Sequence, residues 1–391
     1  MNSPKPKLFR IATVPMSLNL LLKGQLRFLN DHFEVTAISG AGKDLDIVAE
    51  REGVKIHPIE MHRPISFIQD ITSLWQLYKY FKKEKPDIIH SITPKAGLLS
   101  MVAGKLAGVP VRMHTFTGLI FPNEEGYMKG ILILMDRILC HCATKIIPEG
   151  EGVKNDLLKY GITRKPLEII ANGNVNGIDL DYFENENVSE EDKNNLREHL
   201  EIHKDDFIFI FIGRIGYEKG INELIEAFIK LKKTFTSFNA KLLLVGPLEN
   251  NHLISSENIL EIFNNENILS VGYQENVRKY LSISNALVFP SYREGFPNVV
   301  MEALAMKLPA IVTDVNGSNE IVTNEFNGIV IPPKDSDSLL NAMNKIYFDG
   351  DFLENLKNNT RQSVVDKYCR YKVWNSILDI YNQLLNDRKK S

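Results

Sequence analysis

Two parallel α/β sheets, each flanked by helices, are the architecture this sequence predicts. Three observations carry the expectation. At 391 residues the chain exceeds what one ordinary core accommodates. Short apolar, β-branched runs alternate with longer amphipathic stretches from end to end, the pattern of βαβ units around parallel sheets. These runs fall into two groups, separated by a segment rich in Asn, Gly and Asp.

In the first half Leu8 to Val14, Phe33 to Ser39, Lys55 to Ile59, Asp87 to Ile92, Val111 to Thr115 and Lys145 to Ile147 read as strands. Helices are expected near 17–30, 67–84, 95–107 and 127–142, where the apolar period lengthens. In the second half Phe207 to Ile212, Lys241 to Val245, Ile268 to Val271, Ala286 to Phe289, Ala310 to Thr313 and Ile329 to Ile331 read as strands of a second sheet, with helical stretches between them. The segment 171–187, ANGNVNGIDLDYFENEN, collects residues that favour turns and marks the expected boundary. The domains are therefore drawn at 1–175 and 176–365. The stretch 351–386 is helical in pattern, and residues 366–391 are expected as a C-terminal helix that crosses back to the N-terminal domain.

Composition narrows the function classes. With 44% hydrophobic and 24% charged residues the chain is neither disordered nor fibrous. The net charge of −3 divides unevenly, residues 1–175 carrying +6 and residues 176–391 carrying −9. A basic half favours an anionic membrane surface or a phosphate-bearing acceptor, or is simply a solvated face. Three cysteines, Cys140, Cys142 and Cys369, form neither a CxxC nor an even framework, which fits a reducing compartment and argues against structural zinc. The N-terminus passes from a short basic run straight into a strand, and no segment reaches the length of a membrane span. A cytoplasmic protein is expected, with any membrane contact peripheral, at the cytoplasmic face of the inner membrane. No nucleic-acid partner is expected.

The chemistry concentrates in two segments of the second half. PSYREGFPNVVMEALAMKLPAIVTD, residues 290–314, is a strand-loop-helix-strand unit whose loop opens at the carboxyl edge of a parallel sheet, where such sheets bind ligands. Gly295 removes side-chain bulk, and Pro297 suits the first turn of a helix whose free N–H groups favour phosphate. Glu294 in the loop and Glu302 in the helix are acceptors for paired hydroxyls of sugar or ribose. In IFIGRIGYEKGINELIEAF, residues 210–228, Arg214 and Lys219 flank a strand-to-helix turn, a place where cations neutralise a diphosphate and stabilise its departure.

The pair GRxxxxKG and EGFPxxxxEA, in this order and about 80 residues apart, resembles glycosyltransferase family four, whose members have the GT-B fold of two Rossmann-like domains facing a central cleft. The similarity covers nearly the whole chain. The resemblance implies that Arg214 and Lys219 bind the donor diphosphate, Glu294 contacts the transferred sugar, Glu302 contacts the nucleotide ribose, and backbone groups around Gly295 and Phe296 hold sugar and diphosphate. It also implies retention of anomeric configuration, no metal and no cofactor. Two departures stand out: many members have a Gly-Gly loop where this chain has Val14-Pro15-Met16-Ser17, and many have a His where this chain has Thr117, with His114 three residues earlier. The segment HSITPKAGLLSMVAGKLAGVPVRMHTFTGL looks like the branch that extends bacterial surface polysaccharides, such as capsule and lipopolysaccharide, or lipid-linked oligosaccharides, with acceptors on undecaprenyl diphosphate.

Several residues keep two readings at this level. His114 is a hydrogen-bonded core histidine or sits near the reacting sugar. Lys95, at a strand-to-helix turn, meets an acceptor phosphate or faces solvent. Glu294 and Glu302 taken singly are a loop charge and a solvated helix residue, and gain weight only in combination with Arg214 and Lys219. Asp44-Leu45-Asp46, Asp179-Leu180-Asp181 and Asp335-Ser336-Asp337 resemble metal-chelating tripeptides but lie in turn-like or helix-start contexts, so no metal is assigned. Met128 to Leu139, MKGILILMDRIL, is either a buried core helix or an interfacial one.

The sequence thus predicts a retaining glycosyltransferase that moves a hexose or N-acetylhexosamine, with UDP the expected nucleotide, to a lipid-linked glycan. The N-terminal loops at Thr93-Pro94-Lys95 and His114 to Gly118 are expected to choose the acceptor. The alternatives are a sugar-nucleotide epimerase of the same fold, a nucleotide-sugar-binding protein without catalysis, and a two-lobed periplasmic binder, against which the absence of an export signal counts.

Overall fold

The computed structural model describes residues 4–390, apart from 63, 65, 236–237 and 250–252. It contains two compact units, one made of Met1–Gly177 with Arg370–Ser391 and the other of Ile178–Cys369. The first unit runs β1 (Lys7–Ile11), α1 (Pro15–Leu21), α2 (Gln25–Asn30), β2 (Glu34–Ser39), α3 (Lys43–Glu52), β3 (Lys55–Pro58), α4 (Phe67–Glu84), β4 (Ile88–Ser91), α5 (Pro94–Ala107), β5 (Val111–Phe116), α6 (Gly126–Cys142), β6 (Lys145–Pro148) and α7 (Glu151–Lys159). The second runs α8 (Glu190–His199), β7 (Phe207–Ile212), α9 (Ile221–Thr234), β8 (Ala240–Val245), α10 (Ser256–Asn264), β9 (Ile268–Ser270), α11 (Arg278–Ser282), β10 (Ala286–Phe289), α12 (Asn298–Ala305), β11 (Ala310–Thr313), α13 (Ser318–Ile321), β12 (Gly328–Ile331), α14 (Ser336–Phe348) and α15 (Gly350–Tyr368). The last helix, α16 (Arg370–Lys390), rejoins the first unit.

Each sheet has six strands, all parallel, in the orders β3-β2-β1-β4-β5-β6 and β12-β11-β10-β7-β8-β9. Counted within its own unit, each follows the doubly wound order in which the chain reverses direction beside the first strand. A crevice opens at that reversal, beyond the carboxyl ends of the two diverging strands. In the first unit it lies beyond β1 and β4, in the second beyond β7 and β10. Every strand expected from the sequence forms, and the α/β class with it.

The strands are apolar on both faces because helices cover both faces. In β7, FIFIFI, all but the first residue are buried. Phe209 and Ile210, successive residues that point to opposite faces, are each fully buried, and burial of one such side chain is worth about 1.5–3 kcal/mol. The first unit has a separate apolar core on each face of its sheet, and α16 completes one of them with Val373, Trp374, Ile377 and Tyr381.

One helix expectation fails. Residues 17–30 are not a single helix but α1 and α2, broken at Gly24. Gly24 has φ +82°, and a Cβ there would come within 2.9 Å of the Trp374 ring, so the break is set by the approach of α16. The helical pattern of 351–386 is likewise two helices, separated at Cys369, where the chain leaves one unit for the other.

Candidate functional site

The second unit gathers the two motif segments at its sheet reversal. After β7 the chain passes through Arg214 and a single 3₁₀ turn, Tyr217–Lys219, and enters α9 at Gly220. Gly220 has φ +70°, and a Cβ on it would fall 2.1 Å from the Pro290 carbonyl oxygen. Glycine is therefore required twice over, by backbone conformation and by the loop after β10 lying against it. That loop is fastened to the first: Tyr292 N–H donates to the Glu218 carbonyl at 2.9 Å, and Ser291 Oγ donates to the same oxygen at 3.3 Å.

This contact brings Lys219 and Glu294, 75 positions apart, into an ion pair in which Nζ donates to Oε1. Both side chains are largely withdrawn from water, at 17% and 13% exposure. Lys219 Nζ also lies 5.3 Å from the centre of the Phe289 ring, whose negative face favours a cation. Arg214 points outward, 58% exposed, and pairs with Glu249 on the loop after β8.

Gly295 and Phe296 are held from a third side. Gly317, with φ +74°, sits so close that a Cβ would lie 2.2 Å from the Gly295 carbonyl oxygen. Phe296 is buried against Tyr368, with ring centres 5.4 Å apart, so its backbone rather than its ring is at the edge. Pro297 is the residue before α12 rather than part of its first turn, and Glu302, half-buried, is the fifth residue of that helix.

The first unit treats its candidates differently. At the reversal of its sheet the Thr13 and Thr93 hydroxyls bond to each other at 2.8 Å. Lys95, in the first turn of α5, is 10% exposed and donates to Asp70 Oδ1 at 2.7 Å and to the Pro64 carbonyl at 2.5 Å, so its charge is already balanced. His114 is buried in β5, with Nδ1 2.8 Å from Ser91 Oγ, and burial lowers its pKa to about 3. Such a ring is neutral at physiological pH, the state of a packed core histidine. Thr117 is half-buried and donates to the Ile92 carbonyl at 3.1 Å. Of the acidic tripeptides, Asp335 caps α14 by accepting from the Ser338 N–H at 2.9 Å. Among the described residues no three His, Cys, Asp or Glu side chains gather as a metal site.

Residues 192–363 match the family described as glycosyl transferases group 1, and residues 25–181 match glycosyltransferase family 4. The capsular polysaccharide biosynthesis glycosyltransferase CapM of Staphylococcus aureus is 31% identical over 97% of this chain and 98% of its own length. The chain belongs to glycosyltransferase family four. A second relative, the UDP-Gal:α-D-GlcNAc-diphosphoundecaprenol α-1,3-galactosyltransferase of Escherichia coli, is 30% identical over 82% of this chain and 81% of its own. Among solved structures, a glycosyltransferase of Rickettsia africae superposes with a TM-score of 0.80 at 20% identity, covering 98% of this chain and 99% of the other. HepE of Anabaena, solved with UDP and glucose, gives a TM-score of 0.80 at 16% identity over 97% and 100%. The fold is GT-B, and the epimerase and non-catalytic alternatives give way to a glycosyltransferase.

Sequence reasoning missed two residues beside the glycosyltransferase's basic pair. Glu249 reaches Arg214, and Tyr292 donates to both Glu223 carboxylate oxygens at 2.6 Å. Burial and the Glu223 carboxylate both push the Tyr292 hydroxyl pKa upward, so it remains a donor. Gly246-Pro247 after a predicted strand was a signal for a loop at the carboxyl edge, but nothing in sequence spacing joins Glu249 to Arg214.

Proposed function

We propose that this glycosyltransferase takes a hexose or N-acetylhexosamine from a UDP-linked donor and adds it, with retention, to a glycan carried on undecaprenyl diphosphate, in the assembly of a bacterial surface polysaccharide at the cytoplasmic face of the membrane. The observation that carries the reading is the Lys219–Glu294 pair with Arg214 beside it, at the reversal point of the second sheet. A doubly charged diphosphate needs fixed cations, and a transferred sugar needs a fixed carboxylate; this pair presents both from loops that glycines lock together. The relatives from S. aureus and E. coli support the capsule and the lipid-linked acceptor, the latter also the UDP donor.

In the proposed reaction the bond between the sugar C1 and the diphosphate oxygen breaks, and its electron pair leaves on the nucleoside diphosphate. Arg214 and Lys219 stabilise that developing charge. The acceptor hydroxyl oxygen bonds C1 on the same face, and its proton passes to the departing phosphate oxygen, so neither a protein base nor a metal is required. Glu294 orients the sugar hydroxyls, Glu302 accepts from the ribose, and backbone groups at Gly295 and Phe296 position the donor. The first unit binds the acceptor.

Calorimetric titration with UDP, GDP and their sugars, alongside Arg214→Ala and Glu302→Ala, tests the donor site. Selective binding of UDP species that both substitutions abolish supports it; a folded protein that binds none sinks it. Product from a synthetic lipid-diphosphate GlcNAc acceptor, read by NMR, then decides retention, and a β-linkage overturns it.

A further inference from the structure

In the first unit the space between α4, α5 and α6 is a hollow of about 680 Å³. It begins at the sheet's reversal, where Thr13, Thr93 and Gly118 line it, and its walls are apolar, with Ile71, Leu98 and Leu134 among them. Ligand sites of drug-sized molecules fall in the same range, about 300–1,000 Å³. The rims are apolar as well. Along α6, Tyr127, Ile131, Leu134 and Ile138 form an exposed stripe at helical spacing, and along α4 Phe67, Ile68, Ile71 and Trp75 form another. A contiguous exposed apolar surface of this kind marks a binding face. The helix that the sequence left open between core and interfacial thus turns its apolar face outward.

We infer that this hollow receives the hydrocarbon chain of the acceptor lipid, with the lipid's phosphate end at the sheet edge beside Thr13 and Thr93. The inference rests on the lipid-linked acceptor proposed above. Its shape selects a chain: a flat face from a second copy would cover the rims and leave the hollow empty, forfeiting contacts that a thread of methyl and methylene groups makes throughout. Charge selects a lipid with an anionic head, because residues 1–175 carry +6, and Lys79 and Lys129 stand on the two rim helices. Of the acids nearby, Glu124 and Glu125 precede α6, Asp70 is neutralised by Lys95, and Asp136 in the wall has its pKa raised by burial to about 7. Among the described residues the Asp136 carboxyl makes no hydrogen bond or ion pair, so once protonated it adds no charge to an apolar wall.

The test titrates the full-length protein with farnesyl diphosphate in the presence of saturating UDP, and in parallel sediments it with phosphatidylcholine-phosphatidylglycerol vesicles. Ile71→Gln/Leu134→Gln changes two wall residues that are already more than half exposed, so the fold is retained; Leu253→Gln/Phe263→Gln, exposed apolar residues of the second unit, is the control. The expected result is saturable binding of farnesyl diphosphate, weakened about ten-fold or more by the wall variant alone, with UDP affinity and melting temperature unchanged. Three results overturn it: no farnesyl diphosphate binding while UDP binds, vesicle binding lost in the wall variant without saturable prenyl binding, or a dimer that the wall variant dissociates. Farnesyl diphosphate binding without UDP binding leaves the hollow a lipid site and removes the donor reading instead.

Discussion

Lys219 and Glu294 stand on loops from different strands, yet their side chains meet as an ion pair largely sheltered from water. Each is the other's neutralising partner when the donor is absent. Lys219→Ala should lower kcat/KM by about 10²–10³, the usual cost of removing one donor aimed at developing charge. It should also cost about 1–3 kcal/mol of stability, because Glu294 is left without its cation. The Lys219→Ala/Glu294→Gln double variant should regain part of that stability and none of the activity. Thermal melts and steady-state rates measured on all three variants separate the two effects, and a double variant no more stable than Lys219→Ala would show that the pair is not coupled.

Arg214 and Glu249 present the opposite case. Arg214 is exposed, so the pair should contribute no more than about 1 kcal/mol to folding. In the proposed donor site Glu249 would compete with the diphosphate for the guanidinium. Glu249→Gln should therefore leave the melting temperature nearly unchanged and tighten UDP binding several-fold by calorimetry; weaker binding would mean that Glu249 itself contacts the donor.

His114 gives a pH dependence whose sign follows from its environment. Burial lowers its folded-state pKa from 6.5 to about 3, so on acidification the unfolded chain takes up a proton before the folded one does. Its contribution to stability is complete above pH 6.5 and is lost as pH falls towards 3. His90, buried beside Arg10, is shifted in the same direction. His114→Gln should flatten the stability slope in that window, seen in urea titrations at pH 4 to 7. It should leave the shape of the activity profile above pH 6.5 unaltered, and a lost inflection there would assign His114 a proton-transfer role.

Asp136 runs the other way. Its carboxyl pKa is raised from 3.8 to about 7 by burial, so the folded chain holds a proton that the unfolded chain releases. The resulting cost is absent below pH 3.8, grows as pH rises, and is full above pH 7. Asp136→Asn should raise the melting temperature at pH 8 and leave it nearly unchanged at pH 4. Equal effects at both values would mean that the carboxyl is solvated.

Arg10, buried in β1, donates to the Tyr381 hydroxyl of α16 at 2.7 Å, and the same hydroxyl lies 2.6 Å from His90 Nδ1. Tyr381→Phe strips one partner from both groups without opening a cavity, and should cost about 1–3 kcal/mol. Truncation at Cys369 should be far more severe, because it exposes the core face that Val373, Trp374 and Ile377 cover. The checks are chemical denaturation of the point variant and soluble yield of the truncated one.

Strand positions and the α/β class were legible in the sequence because apolar period and turn composition are local properties, readable over a dozen residues. The segments that carry Arg214, Lys219, Glu294 and Glu302 were legible as strand-to-helix units for the same reason, while the roles proposed for these residues rest on the resemblance to the family. Where helices break was not local. The interruption at Gly24 depends on Trp374, 350 positions away, and the second helical stretch divides at Cys369, between the two units. Nor could spacing reveal that Lys95 is already paired with Asp70, that His114 is sealed in the core, or that α6 turns its apolar stripe outward. By itself the sequence determined which segments become strands and which carry charges suited to a diphosphate sugar. Tertiary structure alone decided which of those charges meet, which are neutralised, and which apolar faces stay uncovered, because pairing and burial depend on segments that only parallel sheet topology brings together.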